Sequence, residues 1–478
     1  MRTDMDTSRM ARATIPDPSR HRSARLDLVL SHRAAIRRQM HRTPPATPPP
    51  LPALPHKALA AYACAHFGKS LLWYASELLL IYSLTEHAEL GAAAAGLVLA
   101  LGLLVSAAIG LVAGWNLRRR LREVTSSGHL QWLGLSAAAL ALLLVFAAPL
   151  LPALLRLGYV LVLSLLFRIA YAVCDVAQNT LLSLVRWPWR GYDGASALRL
   201  AGSGIAALLV SAMVGAMLAR GTGGAAFALQ ASALLAAVAV SCAWQLRRAL
   251  PRDGAPLPRT TAGTPTHTAP APRWRAIPWQ PLLLIAAISL TLPAFTKLAP
   301  YVAAYGLLSP GWGSAVLIAY ALGSVLVQPL AARLGRRHSP QQRLAWLGAA
   351  LLLSAPLFAL ALPAKPQLSL LAAAWIGAIG GSSGQLVWAW HAQLTAERGV
   401  AQHALCFAAL VASAQVALAA GIAVIGLLLG AVDYRQSHCQ LLRWAMAAGP
   451  LACGALCLLL ALLAERRPLR RRKLAEMA

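Results

Sequence analysis

The sequence predicts an all-α protein that crosses a membrane many times, and three observations predict it. Of its 478 residues, 58% are hydrophobic and only 12% are charged, about half the charged share of a soluble chain. Apolar runs of about 20 residues, the length a helix needs to cross a bilayer, recur along the chain. The bases behind a net charge of +28 gather in alternate loops, the placement of cytoplasmic loops in a membrane protein. That placement assigns the charge to topology and anionic lipid rather than to nucleic acid. The runs are too long and too uniformly apolar for the short alternating strands of a barrel. Helices also satisfy their own backbone groups, which lipid cannot do.

Residues 1–56 come first. They are rich in Arg and Pro, with "PPATPPPLPALP" at 44–55. Such a segment lacks the apolar content to fold and has no continuous apolar stretch to act as a secretory signal. Its Arg content is like that of a transit peptide, but Asp4, Asp6, Asp17 and Asp27 argue against one. A disordered cytoplasmic tail is expected, and Met40 offers an alternative start that leaves open whether residues 1–39 are translated.

Twelve spans follow, near 58–84, 91–114, 129–149, 153–185, 196–219, 223–244, 278–306, 311–332, 344–363, 367–391, 402–430 and 439–464. "WNLRRRLRE" follows the second span, "RWPWRG" the fourth and "RLGRRHSPQQR" the eighth. "ERRPLRRRK" closes the chain. These basic segments alternate with loops poor in bases at 85–90, 150–152, 307–310 and 431–438, so both termini are expected in the cytoplasm, with a bacterial inner membrane as the expected location. The Pro/Thr/Arg-rich segment 245–277 reads as a cytoplasmic linker between a six-helix half at 57–244 and a second at 278–464, with a basic tail at 465–478. Basic loops after spans 2 and 8 hold matching positions in the halves, a weak internal repeat of the kind carriers show.

No catalytic or cofactor chemistry stands out. The seven cysteines form no CxxC pair and read as small apolar fillers rather than a disulfide or metal framework. There is no HExxH, no carboxylate-rich loop for Mg²⁺ and no Ser/His/Asp cluster, and His391 stands alone. The expectation is a protein that is not an enzyme and takes no metal or cofactor.

The informative residues are polar ones inside spans, where a charge taken from water costs several kcal/mol unless it is paired. Lys69, Trp73 and Glu77 recur every four residues in span 1 and share one side of the helix. Arg168 and Asp175, two turns apart in span 4, lie about 10 Å apart on nearly one face. Span 7 carries Lys297, Tyr301 and Tyr305, with Pro293 and Pro300 loosening it. Span 10 carries "GAIGGSSGQLVWAW", which adds Gln385 and Trp388 to a run of small residues suited to packing or a hinge. Each has a plainer reading: Lys69 and Glu77 as a structural pair, Trp73 as packing, Arg168 and Asp175 as a lock between helices, the tyrosines as interfacial belt. Together they point to a polar cavity shared by several spans.

Residues 62–115, from "YACAHFGKSLLWYASELLL" to "GLVAGW", resemble the first two helices of the glycoside–pentoside–hexuronide cation symporters, the melibiose-carrier-like branch of the major facilitator superfamily. The family's Tyr, Phe-Gly-Lys, Thr-acidic and Gly-Trp fall on Tyr62, Phe67-Gly68-Lys69, Thr85-Glu86 and Gly114-Trp115. "AYAVCDVAQNTLLSLV" is similar to its fourth helix, with the acid at Asp175, and "SALRLAGSGIAALLV" to the start of its fifth, with the base at Arg199. "KLAPYVAAYGL" and "GLLLGAVDYR" match more loosely in the second half. The resemblance implies the major facilitator fold, two six-helix halves, and a secondary active transporter of a small solute by alternating access.

Where the family holds its coupling cation between two aspartates, this chain has Ser106 and Gly110. Where it binds sugar with an acid and an aromatic, this chain has Ser70 and Asn179. Sodium is therefore a poor coupling ion and protons are the candidate. Lys69, Arg168, Lys297 and Arg199 outnumber Glu77 and Asp175, so the implied solute is anionic: a hexuronide, a glycoside acid or another organic anion. The expected solute site comprises Lys69, Trp73, Arg168, Asp175, Asn179, Arg199, Lys297, Tyr301, Gln385 and Trp388, with Glu77, Asp175 and Ser106 as the coupling set. The expected partners are that solute, the coupling ion and membrane lipid. A lipid or drug transporter of the same fold, or a sensor or assembly factor derived from a carrier, is the alternative.

Overall fold

Lipid-spanning helices need apolar surface outside and tight contacts inside, and both are built into these segments. The computed structural model describes residues 53–80, 83–89, 92–218, 224–251, 277–303, 307, 310–397, 402–431 and 440–476. The expected tail up to residue 52, most of the linker, and Tyr305 lie outside them. Among the described residues there is no strand, only an isolated bridge between Ala53 and Arg186.

The helices in chain order are α1 (His56–Tyr74), α2 (Ala92–Asn116), α3 (Val124–Phe146), α4 (Ala153–Leu184), α5 (Gly191–Leu218), α6 (Gly224–Ala249), α7 (Trp279–Thr291), α8 (Pro293–Tyr301), α9 (Pro310–Leu326), α10 (Gln328–Arg337), α11 (Pro340–Ala364), α12 (Pro366–Ala396), α13 (His403–Ala431) and α14 (Gln440–Glu476). Each expected span has its helix. The seventh is broken into α7 and α8, where Pro293 takes the first helical position of α8 and removes a backbone donor. The eighth is broken into α9 and α10, bent by 41° just before Pro329. Ten helices are long and apolar enough to cross a membrane, and the bent pair makes eleven. The first span stands outside that set. It is helical from His56 through a π-helical turn at Ala75–Leu79, but it carries His66, Lys69, Ser70, Ser76 and Glu77. A π-turn widens the helix by one residue and often marks a functional position; this one contains Glu77.

Large apolar side chains such as Leu140, Leu154, Val162, Leu353 and Leu371 are exposed. Water would penalise that surface, whereas lipid does not. Inside, α3 packs on α4, α1 on α5 and α6, α9 on α12, and α11 on α14. Glycine permits the closest approaches. A Cβ on Gly68 would sit 2.9 Å from the backbone of Ala239, and one on Gly377 only 2.0 Å from the carbonyl oxygen of Tyr320. The Phe-Gly-Lys motif and the glycine run of span 10 therefore serve close packing of α1 on α6 and of α12 on α9.

Contacts between early and late helices concentrate at the end bearing the basic loops. There α2 packs on α13, and α5 packs on α10 and α12. One apolar cluster at this end joins Leu54, Tyr62, Leu181, Trp187 and Leu246 to residues of the later helices, including Leu386, Trp390 and Phe407. Along the rest of the early helices, a separate cluster from Leu71 to Ala243 draws only on residues before 250.

Candidate functional site

A lysine buried in a membrane helix demands an anion, and α4 supplies it. Lys69 Nζ lies 2.5 Å from Asp175 Oδ1 and donates to Asn179 Oδ1 at 3.5 Å. Asn179 Nδ2 donates to the second carboxylate oxygen of Asp175 at 3.0 Å, and Tyr171 Oη donates to the Lys69 carbonyl at 3.4 Å. Asp175 and Asn179 are one turn apart, so both reach the same lysine. The Lys69 side chain is 3% exposed and that of Asp175 14%. Loss of one partner from such a pair leaves a buried charge, at a cost of about 3–5 kcal/mol.

This pair forms one wall of a cavity of about 250 Å³ between α1, α4, α5, α7, α12 and α13. That volume is below the roughly 300–1,000 Å³ of pockets for drug-sized ligands and suits a small solute. Trp73, Tyr171 and Trp388 are its aromatic surfaces. His66, Ser70, Ser203, Ser289 and Gln415 add polar groups. Arg199, 3% exposed, reaches in from α5. Its guanidinium carbon sits 3.5 Å from the centre of the Trp388 ring. Tyr62 and Asp175 lie near enough to act on it electrostatically, yet its Nε and Nη1 atoms make no hydrogen bond. The lining thus holds two fixed cations, Lys69 and Arg199, against one carboxylate.

A second ion pair stands behind the aromatic wall. Arg168 Nη2 lies 3.0 Å from Glu77 Oε1, and the guanidinium carbon is 5.2 Å from the Trp73 ring centre. Trp73 therefore faces the cavity on one side and Arg168 on the other. A Cβ on Gly102 would come within 3.2 Å of Arg168 Nε, so α2 accommodates the arginine with a glycine. The expectation that Arg168 is free to face a solute is corrected: Glu77 occupies it, and neither residue lines the cavity. Spacing along α1 could not show this, because the partner of Glu77 lies on another helix.

Four further expectations are corrected. Gln385 is fully buried and lies away from the cavity. Its Nε2 donates to Asp193 Oδ1 at 2.8 Å and to the Asp193 carbonyl at 3.1 Å, and its Oε1 accepts from Arg343. Arg343 Nη1 also pairs with Asp193 at 2.8 Å. Lys297 lies on the exposed side of α8, because the broken seventh span presents its other face to the bundle. Tyr301 is half-buried against the apolar core. Asn179 is held in the layer behind Asp175, where its amide is already used. Ser106, by contrast, sits near the cavity: its Oγ accepts from Gln415 Nε2 at 3.1 Å and links α2 to α13.

The Asp193–Arg343–Gln385 cluster joins α5, α11 and α12 close to the basic loops. Arg190 Nη1 donates to the Pro329 carbonyl at 3.0 Å, and Ser183 Oγ lies 2.9 Å from His403 Nδ1. These contacts tie early helices to late ones at the same end. A Cβ on Gly114 would fall 2.4 Å from that of Ala408, so the Gly-Trp position of α2 is a close helix crossing there.

Several lining residues escaped the sequence reading. His66 and Ser70 precede Trp73 by seven and three residues, so they share its face of α1. Ser203 lies one turn beyond Arg199. That stripe was legible as a polar edge in each helix. Gln415 and Ser289 carry no such signal, since each is a lone polar residue in an apolar run.

No curated protein matches the chain. Solved structures do. The transporter FucP in its outward conformation superposes with a TM-score of 0.62 at 14% identity, covering 85% of this chain and 98% of the other. The proton:xylose symporter XylE bound to 6-bromo-6-deoxy-D-glucose gives 0.60 at 14%, covering 85% and 95%. The human organic anion transporter TETRAN gives 0.55 at 16%, covering 85% and 99%. All three carry the major facilitator fold, and this chain has it too. The fold and the apolar helices make the chain an integral membrane protein of a transporter class rather than an enzyme class. Residues 61–465 match the family described as MFS/sugar transport protein, and the chain belongs to that family of secondary transporters.

Proposed function

We propose that the protein moves a small organic anion, such as a uronide or a glycoside acid, by alternating access around the cavity at Lys69, Asp175 and Arg199. The observation that carries this reading is Arg199: a buried guanidinium, stacked on Trp388 and exposed to the cavity, with Nε and Nη1 donors that no protein group accepts. A carboxylate on the solute would satisfy them by charge-assisted hydrogen bonds. The Lys69–Asp175 pair then sets the shape of the wall, and Trp73 and Trp388 provide faces for a ring. This is the melibiose-carrier-like scheme with its sugar-binding acid replaced by Ser70.

In this reading the two halves, 57–244 and 278–464, rock about the cavity. The contacts around Asp193 hold the cytoplasmic end shut, so the conformation is open outward, as in the FucP structure that it resembles. Both termini face the cytoplasm of a bacterial inner membrane. Sodium does not drive transport: Ser106 is engaged by Gln415, and at Gly110 a Cβ would meet nothing within 4 Å, so no set of hard oxygens gathers there. Glu77 is the proton carrier. Its protonation would release Arg168 behind Trp73 and so couple charge to the wall of the cavity.

Uptake into proteoliposomes tests this. Uronides and organic acids should accumulate under an inward proton gradient, with no added effect of sodium, while neutral glycosides should not. Glu77→Gln should abolish accumulation yet keep solute exchange, because exchange moves no net proton. Accumulation of neutral glycosides alone, or normal accumulation by Glu77→Gln, would overturn the corresponding part.

One observation favours a second reading, a carrier of amphiphiles or lipids. An apolar crevice of about 250 Å³ runs between α2 and α4, lined by Leu101, Val105, Leu161 and Leu165, and ends on Arg168. An acyl chain could lie there with its anionic head at the arginine. Transport of long-chain but not short-chain acids would select it.

A further inference from the structure

Outside the cavity, the strongest concentration of unpaired charge lies where α3 begins and α6 ends. A groove of about 890 Å³ opens there, lined by Arg120, Arg247, Arg248, His129 and Trp244. Arg247 lies 4.5 Å from the centre of the Trp132 ring and 5.3 Å from that of Trp244. Arg248 lies 4.7 Å from Trp244, and the two indoles are 5.5 Å apart. Stacking fixes the planes of the guanidinium groups and leaves their edges open. None of the three arginines makes an ion pair with a carboxylate among the described residues. The acid nearest in sequence is Glu123, which is exposed and accepts a hydrogen bond from Ser126 at 3.1 Å. The groove also takes in the first turn of α3, which has no side-chain cap of its own and whose open N–H groups favour an anion.

We infer that this groove binds the phosphodiester headgroup of an anionic membrane phospholipid. Three features choose a lipid. The groove sits where apolar helices give way to basic loops, the depth of a headgroup layer, and two tryptophans mark that level. A stripe of exposed apolar side chains, Leu133, Leu140 and Leu144, runs along α3 at steps of three, seven and four from Leu130, which lines the groove. That stripe gives acyl chains a surface continuous with the head site. The chain itself offers no counter-anion: residues 252–276, which follow Pro251 at the rim, carry Arg252, Arg259, Arg273 and Arg275 against Asp253. A bound headgroup clamps α3 to α6, which are otherwise tied at this rim by the hydrogen bond from Thr125 Oγ1 to the Pro251 carbonyl, 2.9 Å. Basic pockets between helices on the cytoplasmic side bind anionic headgroups by this logic. The inference does not rest on the transport reading.

Native mass spectrometry of the full chain, delipidated in detergent and titrated with phosphatidylglycerol or phosphatidylcholine, tests it. Phosphatidylglycerol should bind at least about tenfold tighter, the loss expected when several charge-assisted hydrogen bonds are absent. The triple variant Arg120→Gln, Arg247→Gln, Arg248→Gln should lose that preference. A variant of equal charge at the other basic loop, Arg333→Gln, Arg336→Gln, Arg337→Gln, should keep it. Quenching of tryptophan fluorescence by brominated phosphatidylglycerol in the unmutated protein, reduced by Trp244→Phe, gives a second readout that needs no folded triple variant. Equal binding of both lipids, equal loss in the two triple variants, displacement by millimolar inorganic phosphate, or quenching unchanged by Trp244→Phe would each overturn the assignment.

Discussion

Two buried clusters in this protein use the same side-chain chemistry to opposite ends. At the cavity, Lys69 and Asp175 pair within the early helices, and Arg199 beside them keeps donors open. Near the basic loops, Asp193, Arg343 and Gln385 join α5 to α11 and α12, and the Asp193 carboxylate, the Gln385 amide and the Arg343 guanidinium all bond one another. A buried polar group that has found its partners locks elements together, while one that has not is held ready for a ligand. The contrast predicts that substitutions at the first cluster change binding, and that those at the second change which conformation is populated.

The largest effect should come from Asp175→Asn, which leaves Lys69 buried without a counter-ion. Stability should fall by about 3–5 kcal/mol, seen as a lower unfolding temperature in detergent. The double variant Lys69→Met, Asp175→Leu should recover much of it, because paired apolar groups need no counter-charge. A Lys69–Asp175 coupling near zero in that cycle would mean that the cavity wall does not depend on the pair, and the contrast with Asp193 would blur.

Arg199→Gln comes next. It removes one side of a charge-assisted contact with the solute, worth about 1.5–3 kcal/mol, so affinity for an anionic solute should drop roughly 10–100-fold. Stability should hardly change, since the Arg199 Nε and Nη1 donors lose no hydrogen-bond partner. Binding measured by calorimetry separates the two quantities. A variant that unfolds as easily as Asp175→Asn would make Arg199 a structural residue and remove the main support for an anion.

Asp193→Asn should act differently. Its carboxylate is about one-fifth exposed, so the loss is nearer 1–2 kcal/mol, and it falls on the contact between α5 and α11 rather than on the cavity. The expected result is a shift of about 5–30-fold toward the conformation open at the basic end. Spin labels at positions 190 and 329, whose residues now touch, would report a longer distance. Unchanged distances with weakened solute binding would reverse the roles given to the two clusters.

The fold was legible because its signals are local. Apolar length and alternate basic loops located the twelve spans, even where Pro293 and Val327 break them. The charges worth watching were legible too, since Lys69, Asp175, Arg168 and Glu77 stand out against their spans. Their partners were not. Arg168 meets Glu77 across two helices, and no periodicity within α1 or α4 encodes which faces meet. Gln385 and Trp388 look alike in sequence, yet three residues turn a helix to a point about 60° from its start. That difference sends Gln385 to Asp193 and Trp388 beneath Arg199. Lys297 misled for the converse reason: a lysine deep in an apolar run reads as interior until the break before Pro293 re-aims the helix.

The smallest effect expected is also the one that separates this chain from the sodium-coupled carriers that it resembles. Ser106 stands where that family places a cation-binding carboxylate, and its hydroxyl accepts from Gln415 Nε2. Ser106→Ala removes one neutral hydrogen bond, worth about 0.5–1.5 kcal/mol, and leaves Gln415 able to turn toward the cavity that it lines. Solute affinity should move by less than about tenfold, and uptake should stay insensitive to sodium before and after the change. Ser106→Asp is the sharper arm. It restores one carboxylate but not the second, because Gly110 still offers no side chain, so a single anion should recruit sodium weakly. Uptake measured with and without sodium would then show a small gain in the Asp variant and none in the Ala variant. A strong sodium response in the unmutated protein, lost in Ser106→Ala, would place the cation at this hydroxyl after all and move α2 and α13 into the coupling machinery.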